Sequence, residues 1–108
     1  MSIHERRREY RNTIETPIKI NVGTQLSVLG QTKDISINSA LILIKNNIFL
    51  DTNDKITFSF EYSTKGEKLT VEGSAYVSRI IKGEGFAISF TQLTGNSLSN
   101  LKKILNID

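Results

Sequence analysis

The sequence predicts a mainly β protein, a six-stranded antiparallel β-barrel followed by one C-terminal α-helix. Its length of 108 residues leaves room for one hydrophobic core. Apolar side chains recur at every second position through most of the chain, which is the period of a strand with one buried face. The period becomes helical only near the end. We expect the sheet to close, or nearly close, on itself because closure removes exposed strand edges.

Three strands are predicted in the first half of the chain. The segment 18–22 alternates apolar and polar residues, and Pro17 stands at its start, where a missing N–H costs little. Residues 31–36 form a weaker second strand. The continuous apolar run 40–44 predicts a third strand that is covered on both faces.

The second half predicts an antiparallel meander of three further strands. Segments 56–62 and 86–90 alternate regularly, and the longer segment 68–81 alternates on both sides of Gly73, which predicts a bulge or bend there. The loops between these strands are short and contain glycine, as hairpin loops do. Four aromatic side chains share the apolar parity and are predicted to lie in the core: Phe58, Phe60, Phe86 and Phe90.

A short helix is predicted after the last strand. Asn96 or Ser97 is placed to cap its N-terminus, and Lys102 and Lys103 lie on its polar side. Its apolar face consists of Leu98, Leu101, Ile104 and Leu105.

The composition excludes most catalytic chemistry. The chain has no cysteine and a single histidine, His4, so it offers no thiolate metal site and no convincing nucleophile–base pair. We predict neither an enzyme nor a metal site. The first residues form no apolar signal region, and no apolar stretch approaches the roughly 18 residues of a membrane span. We therefore expect a soluble cytoplasmic protein.

Positive charge is concentrated at the start of the chain. The net charge is +3, from 14 basic and 11 acidic residues. Four arginines and two glutamates give +2 within the first eleven residues, which leaves +1 for the other 97. We predict that residues 1–13 form a flexible basic arm and that residues 14–108 form the barrel with its helix.

Two motifs in this order resemble those of the PilZ domain family. The segment 6–11 reads RRREYR, so Arg7 and Arg11 match the family's RxxxR and Arg6 extends it to RRxxxR. Asp34 and Ser36 match the first two fixed positions of its [D/N]xSxxG motif. The apolar strand after this motif, the long strand ending near residue 79, the strand 86–90 and the final helix also resemble the family.

The resemblance implies a bacterial receptor for cyclic di-GMP that acts on a protein partner and carries out no reaction. It implies no cofactor besides this ligand, no specific binding to nucleic acid and no insertion into a membrane. It also implies that ligand binding orders the arm and changes the surface that a partner meets. The implied ligand-binding residues are Arg6, Arg7, Arg11, Asp34, Ser36 and Ser39.

The chemistry of these side chains suits the ligand, which has two guanines and two phosphates. An arginine fork can donate to O6 and N7 of guanine, stack on a base and pair with phosphate. An aspartate can accept from the N1–H and N2–H groups of guanine, which distinguishes guanine from adenine, and a serine hydroxyl can meet a base edge or a phosphate.

Ser39 departs from the family pattern, which has glycine at this position. If the backbone there has a positive φ, serine costs roughly 1 to 2 kcal/mol. Asn38 is an alternative occupant of that conformation.

Three alternatives stay open at this point. The chain is a degenerate PilZ domain that acts through protein contacts without a nucleotide, or it is an oligonucleotide-binding barrel, which needs exposed stacking aromatics. The segment Asp34-Ile35-Ser36 is otherwise a simple turn between strands.

Overall fold

The computed structural model describes residues 12–24, 26–44 and 50–107. They form seven strands and one helix: β1 (Asn12–Thr13), β2 (Pro17–Val22), β3 (Leu26–Ile35), β4 (Ser39–Leu43), β5 (Lys55–Thr64), β6 (Glu67–Ile81), β7 (Gly85–Leu93) and α1 (Ser97–Leu105). No helix in this described part of the chain is both long and apolar enough to cross a membrane.

The strands form one antiparallel sheet that closes into a barrel. Neighbours follow the order β1-β3-β2-β5-β6-β7-β4, and β3 also pairs with β4. Strands β2, β5, β6, β7, β4 and β3 therefore make a closed ring of six, which confirms the predicted architecture. The two-residue strand β1, which the sequence analysis missed, pairs with β3 beyond the part of β3 that pairs with β2.

The strands begin and end close to the predicted positions, with one exception. β3 begins at Leu26, five residues before the predicted start at residue 31. Leu29 is 70% exposed in this extension, so the apolar alternation that predicts a half-buried strand is absent there. The extension exists because residues 26–31 pair with β2 across the hairpin.

The core fills the barrel with the alternating inward residues of its strands. Phe58, Phe60 and Phe86 are buried, and Phe90 packs against this cluster with its ring centroid 5.0 Å from that of Phe58. The predicted core aromatics therefore point inward. The other large apolar side chains that are fully buried are Ile18, Ile20, Ile35, Ile42, Ile88, Leu101, Val71 and Val77.

Gly73 allows β6 and β7 to approach closely. The β6–β7 register shifts just after Gly73, between Ser74 and Ala75, but the extra residue is Thr91 on β7, so the predicted bulge lies on the neighbouring strand. A Cβ atom added to Gly73 would overlap the carbonyl oxygen of Gln92 on β7. Only glycine leaves that space.

Helix α1 packs against β6 and contributes three side chains to the core. Leu101, Ile104 and Leu105 are buried, whereas Leu98 in the first turn is exposed. Asn96 is the N-cap residue, which is one of the two predicted positions, but its side chain makes no capping hydrogen bond. The Ser97 hydroxyl instead accepts from the N–H of Glu72 at 2.8 Å, which fixes the start of the helix to β6.

Candidate functional site

The Asp34–Ser39 motif occupies the connection between β3 and β4. Asp34 is half-buried near the end of β3, Ser36 is fully buried in the turn, and Ser39 is half-buried at the start of β4. The sheet therefore holds both ends of the motif. Strand geometry fixes the directions in which Asp34 and Ser39 project.

A β-bulge sets the direction of Asp34. The β3–β4 register shifts between Thr32 and Asp34, so Lys33 is the extra residue. Thr32 and Ile35 are both buried although they stand three positions apart, which a regular strand would not allow. Without the bulge, Asp34 would share the inward parity of Thr32. With it, Asp34 lies on the outer face of the barrel.

The Ser36 hydroxyl organises the turn. Its oxygen accepts from the backbone N–H of Asn38 at 3.2 Å and from that of Ser39 at 3.0 Å, and it lies 3.0 Å from the Ser39 hydroxyl. The backbone closes the same turn, because the N–H of Ser36 donates to the carbonyl of Ser39 at 2.8 Å. Ser36 therefore occupies the predicted motif position and also stabilises a turn between strands, which was the alternative interpretation of this segment.

Replacing Ser36 by alanine is expected to lower the free energy of unfolding by about 1 to 2 kcal/mol, because two backbone N–H groups lose their acceptor. Urea titration of both proteins measures the difference. Ser63→Ala is the matched control, because Ser63 is exposed on β5 and its loss should cost less than about 0.5 kcal/mol. Equal stability of the two variants would contradict this role for Ser36.

Ser39 occupies the glycine position of the motif without backbone strain. In the described residues, the non-glycine residues with positive φ are Asn53, Lys65 and Asn106, so neither Ser39 nor Asn38 adopts the left-handed conformation. The conformational cost that serine has at a positive φ is therefore absent at Ser39. Its side chain adds a hydroxyl beside that of Ser36.

The root of the arm pairs directly with this motif. In β1, Asn12 lies opposite Ile35 and Thr13 opposite Asp34. Buried Ile14 follows, and its N–H donates to the carbonyl of Lys33 in the bulge at 3.2 Å. The position at which the arm joins the barrel is therefore fixed beside Asp34.

A buried threonine reinforces this junction. The Thr32 hydroxyl accepts from the N–H of Thr16 at 3.0 Å and donates to the carbonyl of Ile14. The Thr16 hydroxyl in turn donates to the carbonyl of Glu61 at 2.7 Å. The connection from β1 to β2 is thus tied to both β3 and β5.

The predicted arginines Arg6, Arg7 and Arg11 lie outside the described residues, as does most of the predicted arm 1–13. The sequence nevertheless limits how far these arginines can lie from Asn12. Arg11 is bonded to Asn12, and Arg6 is six residues from Asn12, which a fully extended chain spans in at most about 22 Å.

Beyond the motif, the outer face continues as two rows of paired residues. The Asp34 row crosses from β3 to β6 through small or apolar side chains and ends at Arg79. The Ser39 row crosses from β4 to β5. The members of the Asp34 row are Asp34, Leu41, Ala87 and Arg79, and those of the Ser39 row are Ser39, Ser89, Tyr76 and Lys55.

The sequence analysis did not single out Tyr76 or Lys55, whereas it did place Arg79 at the end of the long predicted strand. Tyr76 and Arg79 stand three positions apart on β6, yet they share the outer face because the β6–β7 register shifts between Val77 and Arg79. The alternation of buried Ala75 and Val77 does place Tyr76 outside. The strand pairing that aligns Tyr76 with Ser39 exists only in the folded sheet, so the sequence pattern does not indicate it.

In the described ranges, no three acidic or histidine side chains are grouped as metal ligands.

Comparison with known proteins places this arrangement in a wider context. A family model described as "PilZ domain" matches residues 5–106. No curated protein matches the chain.

Solved structures share the fold at low sequence identity. The inhibitor of motility MotI/DgrA from Bacillus subtilis is 10% identical with a TM-score of 0.80, and the match covers 92% of this chain and 49% of that one. The chain thus spans about half the length of that protein. The PilZ domain of CeSA from a cellulose-synthesizing bacterium is 17% identical with a TM-score of 0.61, and the match covers 90% of this chain and 95% of that one.

Proposed function

This chain belongs to the PilZ domain family, and from that premise we propose that it is a receptor for cyclic di-GMP. The nucleotide binds between the arginine arm, residues 1–13, and the Asp34–Ser39 motif. The receptor catalyses no reaction, and it works in the bacterial cytoplasm by regulating a protein partner.

The observation that carries this proposal is the pairing of β1 with the end of β3. The two motifs are more than 20 residues apart in sequence, yet the residue after Arg11 lies opposite Ile35. A ligand held at Asp34 would therefore lie within reach of all three arginines. Guanidinium groups beside a carboxylate and hydroxyls match the acceptor and donor edges of guanine and the charge of phosphate.

Each group has a separate role in this proposal. Arg7 and Arg11 bind the O6 and N7 edge of guanine or the phosphates, and Arg6 adds a further charge. Asp34 accepts from the Watson–Crick edge of guanine, and the Ser39 hydroxyl donates to a base or phosphate oxygen. Ser36 is buried, so it acts mainly by holding the turn in shape.

The contact between the arm root and the helix supports a route to a partner. The side-chain amide of Asn12 donates to the carbonyl of Leu105 at the end of α1, at 3.2 Å. Binding that orders the residues before Asn12 would change the surface around both β1 and the end of α1. We propose that the partner contacts this region.

The function is tested by isothermal titration of the purified chain with cyclic di-GMP, with cyclic di-AMP as the control ligand. We expect saturable binding of the guanine compound and a much weaker response to the adenine compound, because adenine lacks the N1–H and N2–H donors that Asp34 accepts.

The absence of heat and of a thermal shift with tens of micromolar cyclic di-GMP would overturn the proposal in favour of a PilZ domain that acts through protein contacts alone. The strain-free Ser39 gives that alternative no support in the structure. An oligonucleotide-binding barrel would show salt-dependent binding of single-stranded DNA instead. The inward-facing phenylalanines provide no stacking surface for it.

A further inference from the structure

Two neighbouring hollows lie beside the last turn of helix α1, with cavity volumes of about 280 and 490 Å³. Both are lined by Lys102, Lys103 and Ile107, so these side chains form a rim that the hollows share. The smaller hollow is also lined by Lys65 of the β5–β6 turn, and the larger one by Leu98 of the first helical turn. We call these five residues together the lysine surface.

The end of the helix holds the shared rim in place. Asn106 adopts the left-handed conformation with a φ of 61°, and its N–H donates to the carbonyl of Lys103 at 3.1 Å. The N–H of Ile107 donates to the carbonyl of Lys102 at 2.9 Å. These two bonds form a Schellman motif, which fixes Ile107 beside the last turn.

The β5–β6 turn holds the opposite side of the smaller hollow. Lys65 and Gly66 are the two residues between the paired strand ends, and both have positive φ, as a type I′ hairpin turn requires. Glu67, the next residue, lies 3.8 Å from the ammonium of Lys103. The turn and the helix therefore meet at a defined position.

The positive charge of the barrel is concentrated on this surface. The lining residues of the two hollows include three lysines and one acidic residue, Glu67, which gives +2. Residues 12–108 carry +1 in total, so the rest of that segment carries −1. Within the ranges that the structure describes, Lys65 and Lys102 make no ion pair. Such a surface attracts an anionic partner.

Apolar side chains lie among these charges. Leu98 is 47% exposed, whereas Leu101, Ile104 and Leu105 of the same helix are buried in the core. An apolar contact surrounded by charged groups is the usual layout of a protein–protein interface. The hollows are concave, so they suit side chains that project from a protein segment. A membrane surface is entered instead by apolar side chains that protrude.

We propose that the lysine surface binds an acidic segment of the protein partner, with an apolar side chain of that segment against Leu98 and its carboxylates at the lysines. The inference deepens the proposed function and rests on it for the existence of a partner. The place of the surface supports this role. The carbonyl of Leu105, two residues before Ile107, accepts from the side-chain amide of Asn12 at the root of the arm.

The inference is tested by fluorescence anisotropy at low salt, with the purified chain and a labelled synthetic peptide of sequence GEELEELEEG. We expect saturable binding that the double variant Lys65→Glu and Lys102→Glu weakens roughly 5- to 50-fold, because two attractions become repulsions. Lys82→Glu is the matched control. Lys82 is an exposed lysine in the β6–β7 turn and lines neither hollow, so its reversal should change the affinity less than about 2-fold.

A second variant tests the apolar contact. Leu98→Ser should weaken binding of the peptide by about 3- to 10-fold, and thermal unfolding should change little because the side chain is on the surface. A peptide in which serine replaces both leucines should bind the wild-type chain and Leu98→Ser equally weakly, as a double-mutant cycle requires of a direct contact.

The outcomes separate this inference from the function on which it rests. Failure of the wild-type chain to bind the peptide, or equal weakening by Lys82→Glu and by the double variant, would overturn the inference. Binding to vesicles of phosphatidylserine and phosphatidylcholine without binding to the peptide would also overturn it in favour of a membrane contact. If the peptide binds as expected and cyclic di-GMP does not bind, the lysine surface stands and the receptor function fails.

Discussion

Replacing Arg11 by alanine should weaken the binding of cyclic di-GMP by roughly 5- to 150-fold, and replacing Arg7 should have a similar effect. A bidentate arginine–guanine contact contributes about 1 to 3 kcal/mol, which corresponds to this range. Each variant should unfold at the same temperature as the wild-type chain, because these residues precede the barrel core. Isothermal titration measures the affinity, and circular dichroism measures the unfolding.

Arg8→Ala is the matched control for both variants. Arg8 lies in the same arm and carries the same charge, but it occupies a variable position of the RRxxxR motif. Its loss should reduce affinity only through weaker long-range attraction, an effect that added salt screens. If Arg8→Ala weakened binding as much as Arg11→Ala, the arm would act as a nonspecific basic patch.

Gly85→Ala is expected to lower the free energy of unfolding by about 3 kcal/mol or more. Gly85 lies opposite Leu43 on β4 and Ile81 on β6, at the end of the β4–β7 pairing. An added Cβ atom would overlap the carbonyl oxygen of Ile42, which belongs to the backbone and has no flexible end to move away. The strands would have to separate there, and overpacking of this kind is among the more costly substitutions.

Gly83→Ala, two residues earlier, provides the comparison. Gly83 has a φ of +82°, but a Cβ atom there would meet nothing within 4 Å. The expected cost is only the left-handed backbone term, about 1 to 2 kcal/mol. Urea titration of both variants should therefore show Gly85→Ala as the less stable protein. The reverse order would show that β4 and β7 are not as closely packed as this geometry requires.

The alternation of apolar residues carries most of the information about this fold. It predicted the six strands of the ring and the inward direction of Phe58 and Phe86, because one face of each strand must be buried. It could not predict β1, which has only two residues and pairs through its backbone. It also missed the start of β3, where pairing with β2 rather than burial holds the strand.

The part of the candidate site that depends on residues close together in sequence, the turn at Asp34 and Ser36, was predictable from the sequence. The turn chemistry of Asp34 and Ser36 follows from residue type, and the hydrogen bonds of the Ser36 hydroxyl agree with it. The outward direction of Asp34 depends on the Lys33 bulge, and alignment of Ser39 with Tyr76 depends on the register of three strands. Bulges and registers arise from long-range pairing, which one sequence does not specify.

The hydrogen bond between Asn12 and Leu105 joins residues 93 positions apart in sequence. Strand β1 and the end of α1 therefore lie side by side, so the chain enters and leaves this domain at nearly the same place. A module with this property can be spliced into a host protein without forcing the flanking segments apart.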